Sequence, residues 1–133
     1  MRMTYRLNKA QFDNVVKLAG PARYKHFIAR IADWQQVWTL KQSDGFVTFG
    51  DDEGHICVPL WPHADYAMAL TVGEWATCVP VDIDLDSFKE KWLPGMTRDN
   101  YHVAVFPTPN QKGVVVPAAR LAEDLNEELA KIE

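Results

Sequence analysis

The sequence predicts a single α+β domain: a mainly antiparallel sheet of about five or six short strands, packed with an N-terminal helical hairpin and a C-terminal helix. Three observations carry that expectation. Apolar residues recur with helical spacing at both ends, and the middle changes to short extended runs broken by Gly, Asp and Pro turns. At 133 residues the chain is also long enough to bury one hydrophobic core. It divides into a helical hairpin (residues 1–34), a β-meander (35–60) and a mixed strand and helix segment (61–133).

In the hairpin, Asn8 followed by Gln11 has capping-box spacing, and Phe12, Val15, Val16 and Ala19 form an i, i+3, i+4, i+7 stripe. Gly20 is expected at the left-handed position that closes this helix, with Pro21 in the first turn of the next. Tyr24, Phe27, Ile28 and Ile31 repeat the stripe, while Arg23, His26 and Arg30 form a polar flank. From Trp34 the period becomes extended. Residues 37–41 and 46–49 are β-favouring runs on either side of Ser43-Asp44-Gly45, and Asp51-Asp52-Glu53-Gly54 turns the chain into a third strand. That acidic turn lacks the alternating oxygen ligands and distal glutamate of a calcium loop.

The third strand, residues 56–60, breaks at Pro59 and Pro62 around Trp61 and passes into a helical pattern over 64–70, which Gly73 should stop. Val79, Val81 and Ile83 alternate with Pro80, Asp82 and Asp84, as an edge strand with one buried face would. Asp84 can cap a helix with Leu85, Phe88 and Trp92 on its apolar face, ended by Pro94-Gly95. Residues 102–106 and 113–116 form a strand pair interrupted by Pro107-Thr108-Pro109-Asn110. The last helix starts at Pro117 and buries Ala118, Leu121, Ala122, Leu125, Leu129 and Ile132.

Composition is that of an ordinary globular protein. No apolar run approaches the roughly 20 residues that span a bilayer, and the basic N-terminus has no apolar signal region. Cys57 and Cys78, without an export signal, read as reduced thiols in a cytoplasmic protein. The net charge of −4 conceals an asymmetry. Arg2, Arg6, Lys9, Lys17, Arg23, Lys25 and Arg30 face only Asp13 in the first 30 residues, whereas Glu123, Asp124, Glu127, Glu128 and Glu133 cluster at the other end. Basic and acidic helices facing each other, or solvating opposite ends, account for this pattern.

The series RYKHFIARIADW, VPLWPHADYA, GEWA, FKEKWLPG and VAVFPTPNQKGVVVP, followed by an acidic terminal helix, resembles a family of small bacterial proteins known as DUF2750. The resemblance runs from Asn8 to Leu129. Its most specific parts are Trp61, Pro62, His63, Tyr66 and Ala67 and the loop from Val105 to Pro109. It implies a bacterial cytoplasmic protein and brings no established activity to transfer. The strand, proline, aromatic, helix order is also similar to that of small bacterial immunity and enhanced-serine-sensitivity type proteins, a likeness of pattern alone.

No catalytic signature stands out. Ser43 and Ser87 lack a nucleophile-elbow setting, and Cys57 sits in an apolar strand where cysteine behaves as a small hydrophobe. His55, Cys57, His63, Cys78 and His102 are metal-ligand types without metal-ligand spacing, so no metal and no cofactor is expected. Asp82, Asp84 and Asp86 read as caps and solvated positions. Trp34, Trp38 and Trp92 fall on apolar faces. Trp61 is expected to plug the helix–sheet junction with its indole N–H on a carbonyl; alternatively Trp61, His63, Tyr66 and Trp75 edge a groove.

The leading expectation is a non-enzymatic protein-binding module of immunity type, monomer or homodimer, using Trp61, His63, Tyr66 and Trp75 or the Arg23/Arg30 flank. A small hydrolase or transferase using Cys57 or His63 is the rival. A weak nucleic-acid binder acting through the basic N-terminal helices is the third reading. The acidic remainder and the absence of base-reading residues at the second helix's start argue against it.

Overall fold

In the computed structural model, residues 8–132 are described. Arg2, Arg6, Glu133 and the side chain of Ile132 lie outside the described part. The first helix, α1 (Lys9–Val16), opens on the expected capping box. The Asn8 side chain accepts from the Gln11 N–H at 2.8 Å, and the Asn8 N–H donates to Gln11 Oε1 at 3.1 Å. Gly20 does not close this helix in a left-handed conformation. It begins α2 (Gly20–Trp34), where an added Cβ would lie 3.3 Å from Val114 Cγ2, so what it supplies is a close approach to the sheet. The left-handed residue is Gln35, φ 60°, which terminates α2 and turns the chain into strand.

The strands form two mainly antiparallel sheets rather than one. β1 (Gln36–Gln42) pairs with β2 (Gly45–Phe46) and with β5 (Val79–Asp84), giving the order β2-β1-β5. The second sheet has the order β3-β4-β6-β7, built from β3 (Phe49–Gly50), β4 (Ile56–Leu60), β6 (His102–Val105) and β7 (Val114–Pro117). Within it β4 and β6 run parallel.

The expected meander is therefore cut between β2 and β3. Pro59 has no N–H for a ladder, and β1 meets β4 at a single bridge. There Trp38 and Trp61 exchange both backbone hydrogen bonds at 2.9 Å. The Thr39 hydroxyl donates to the Pro59 carbonyl at 2.7 Å and takes the place of a further rung.

After β4 come α3 (Ala64–Met68) and a 3₁₀ turn (Gly73–Trp75). Asp84 caps the next helix as expected, accepting from the Ser87 N–H at 3.1 Å. That helix does not end at Pro94-Gly95. It runs as α4 (Leu85–Ser87), a π turn (Phe88–Trp92) and α5 (Leu93–Arg98). In the widened turn the Leu93 N–H reaches back to Phe88 O, which opens the ladder just where Pro94 has no N–H to give.

The last helix, α6 (Ala118–Ile132), packs with α2 against one face of the four-stranded sheet. Phe27, Ile31, Leu60, Val103, Val105, Leu121 and Leu125 are sealed between them, each stabilising by roughly 1.5–3 kcal/mol. The basic and acidic helices do meet: the Tyr24 hydroxyl on α2 donates to Asp124 on α6 at 2.5 Å. Trp38 and Trp92 pack against the core, while Trp34 is half-buried at its margin. No helix among the described residues is long and apolar enough to cross a membrane.

Candidate functional site

Strand register decides which side chains leave the core. Cys57 lies beside His102 and Pro59 beside Ala104 across the parallel pair. His102 faces Pro117 and Ala104 faces Val115 across the antiparallel pair, and Phe49 faces Cys57 at the other edge. Because side chains alternate, His102, Ala104, Val115 and Pro117 share the face opposite to Val103, Val105, Val114 and Val116. The latter group points to α2 and α6. The former is the floor of an open cleft of about 890 Å³. One wall is the turn from Gly50 to His55, a second is Leu70 with Trp75, and the third is the loop from Pro107 to Gly113.

The third wall carries an unusual backbone. Phe106 is fully buried yet left-handed, φ 62°, a conformation that costs a non-glycine residue roughly 1–2 kcal/mol and persists only where its surroundings impose it. Two remote side chains do so. Trp61 Nε1 donates to Pro107 O at 2.8 Å. Arg23 Nε donates to Phe106 O at 3.0 Å and its Nη2 to Lys112 O at 3.1 Å. Its Nη1 donates at 2.7 Å both to Leu18 O and to Gln111 Oε1. Gly113 completes the wall, since a Cβ there would come 3.0 Å from Val105 O.

Arg23 and Trp61 are therefore not surface contacts. They are 1% and 0% exposed, and the groove-edge reading of Trp61 and the flank reading of Arg23 give way to their grip on this loop. The plug reading of Trp61, indole N–H on a carbonyl, is what the chain adopts. His63 is also buried and acts as the N-cap of α3, its Nδ1 accepting from the Asp65 N–H at 3.0 Å. Tyr66 is buried among Phe12 and Phe106, with ring centroids 5.2 and 4.7 Å away. Arg30 stays partly exposed with its guanidinium 5.6 Å from the Trp34 ring, and it lines a smaller cleft of about 410 Å³ with His26, Asp33 and Tyr66. Of the six expected contact residues only Trp75 lines the main cleft, where it packs on Phe49 and Trp61.

The polar end of the cleft was not anticipated. Asp51 Oδ1 accepts from the backbone N–H groups of Glu53 and His55 at 3.0 and 2.8 Å, and Oδ2 meets His55 Nδ1 at 2.9 Å. Burial opposes the charge of Asp51, but these bonds outweigh it and hold the carboxyl below its ordinary range. An ionised carboxylate only accepts, so His55 Nδ1 carries a proton and donates it to Asp51. The His55 ring lies on that of His102, centroids 3.8 Å apart and planes within 17°. His102 Nδ1 is shielded from solvent and has no hydrogen-bond partner among the described residues. Only the i, i+4 spacing of Asp51 and His55 hinted at this pair, and a turn reading absorbs it.

The pair does not amount to a metal centre. A metal lies in the plane of each imidazole that binds it, and two nearly parallel stacked rings cannot both point at one ion. Among the described residues no group of three or more His, Cys, Asp or Glu is placed to hold one. Cys57 shares the sheet face of these histidines but is fully buried, and its thiol makes a long contact with His55 O at 3.8 Å. Burial first, and Asp51 second, push that thiol above its ordinary value, the opposite of nucleophile activation.

Fold and site together define a small α+β protein with a preformed cleft on the outer face of a four-stranded sheet. The chain belongs to DUF2750, a family of proteins of unknown function, whose model matches residues 24–125. That span is narrower than the resemblance read from Asn8 to Leu129, leaving out α1 and the end of α6. No curated protein and no solved structure matches the chain.

Proposed function

We propose that this protein is a non-enzymatic binding module, working in the cytoplasm, that receives a segment of a partner protein in the cleft beside Trp75. The observation that carries the reading is the cleft itself. It is about 890 Å³, with an apolar floor and a few convergent polar groups, and its loop wall is fixed in advance by Arg23 and Trp61. A wall ordered before binding spares the entropy of ordering it on contact. Against the enzymatic rival, Cys57 is sealed with its thiol pushed upward, and the His63 Nδ1 is engaged in capping α3. Cys57 and Cys78 are both free and buried, in keeping with a reducing compartment.

The test is affinity capture from the native host with identification by mass spectrometry, comparing wild type with Val115→Trp. Val115 is 36% exposed on the cleft floor, so a larger ring there fills the cleft without entering the core. Arg30→Glu, in the smaller cleft, serves as the comparison. Loss of the partner with Val115→Trp, with an unchanged circular dichroism spectrum, is expected. Undiminished capture by Val115→Trp, or loss only with Arg30→Glu, overturns the reading.

A further inference from the structure

We infer that the polar end of the cleft recognises a guanidinium group, supplied by an arginine side chain of the bound segment. The inference rests on the cleft being the binding site, and three features of its lining specify the guest. The first is charge. Asp51, Asp52 and Glu53 contribute three carboxylates, and among the described residues Lys112 is the only Lys or Arg in the lining. Lys112 meets Asp52 at 3.1 Å with both side chains about nine-tenths exposed, a surface pair of roughly 0–1 kcal/mol that an incoming cation readily replaces.

The second feature is which carboxylates are left for a guest. Asp51 engages both its oxygens within the turn, to the Glu53 and His55 N–H groups and to the His55 ring. The next two side chains, Asp52 and Glu53, are 91% and 80% exposed at the mouth of the cleft. Carboxylates suit the planar fork of a guanidinium, which they can meet with two parallel bonds, better than a compact, strongly hydrated ammonium. The third feature is the aromatic wall. Phe49 and Trp75 line the same cleft with ring centroids 5.7 Å apart, and a guanidinium is attracted to such faces.

The experiment is a nuclear magnetic resonance titration of the full chain with N-acetyl-arginine methylamide, against the neutral citrulline analogue of the same shape. Saturable shifts at Phe49, His55 and Trp75 are expected with arginine, with citrulline at least about tenfold weaker, a difference of roughly 1.4 kcal/mol. The double variant Asp52→Asn with Glu53→Gln alters only exposed side chains, so it folds, and it should weaken arginine binding by a similar factor. Equal binding of the two analogues overturns the inference, as do an unaffected double variant and arginine shifts confined to the cleft beside Arg30. No saturation at about 20 mM arginine analogue does the same, since even a millimolar site is largely filled there. That failure is separable from failure of the binding-module reading, because partner loss with Val115→Trp is measured without reference to arginine.

Discussion

Trp61, at the end of one strand, holds the Pro107 carbonyl 46 residues further along the chain through a 2.8 Å hydrogen bond from its indole nitrogen. The two residues belong to the two most distinctive stretches of the sequence, and this bond is where those stretches meet. Replacing Trp61 by Phe keeps most of the apolar contact but leaves a buried carbonyl without its donor. The expected loss of stability is about 2–4 kcal/mol, combining the orphaned acceptor with the vacated volume. Urea unfolding measures it, and an unchanged midpoint would count against the bond.

Arg23 has the larger stake in the same loop. Its guanidinium is surrounded by oxygens of Leu18, Phe106, Gln111 and Lys112, and burial lowers its pKa without neutralising a group that titrates so far above neutrality. Arg23→Met is expected to cost about 3–5 kcal/mol, more than Trp61→Phe. Arg23→Lys should recover little, because an ammonium cannot span acceptors arranged for a fork. Since both residues hold one loop, the double variant should lose less than the sum of the two. Full rescue by lysine would contradict the geometry.

Both thiols should be inert in the native protein. Cys57 is fully buried and Cys78 is 5% exposed, and the Cys57 thiol is pushed up by burial and by Asp51. A thiol-reactive chromophore at neutral pH should therefore label no cysteine until denaturant is added, and then label both. Rapid native labelling of Cys57 would revive the nucleophile reading that its burial argues against.

Alkaline pH should weaken the contact between α2 and α6. Burial, then the bond to Asp124, raises the Tyr24 phenol above its ordinary value near 10. Below that value both states keep the proton and no dependence arises. Above it the unfolded chain loses the proton first, so stability falls as pH rises, by at most ~1.4 kcal/mol per pH unit and less for a half-buried ring. Tyr24→Phe should remove that slope, which unfolding curves on either side of pH 10 can detect.

Local grammar was readable from sequence wherever a short-range rule sets the structure. The Asn8 capping box, the Asp84 cap, the apolar stripes of α2 and α6 and the edge position of β5 follow from spacing alone, but the buried face expected for that strand does not: Val79 is 56% exposed, Val81 half-buried, and of the three only Ile83 is buried. Gly20 and the Pro94-Gly95 pair misled, because the first answers to Val114 across the fold and the second is accommodated by a π turn. The partition into two sheets hangs on one bridge between Trp38 and Trp61, a long-range contact with no periodicity. The cleft was hidden for the same reason: His55 and His102 stack only because a parallel strand pair sets His102 level with Cys57, two residues past His55 on the same face. Arg23, read as a surface charge, is the clearest case of a polar residue set by distant partners: Phe106, Gln111 and Lys112 lie 83 to 89 residues further along, and only Leu18 is near in sequence.

The most direct test of the binding-module account is hydrogen exchange on the captured complex compared with the free protein. Protection on binding is expected in the turn from Gly50 to His55, at Trp75 and along the loop from Pro107 to Gly113. Protection confined to α1 and α2 around Arg30, with the loop unchanged, would contradict it.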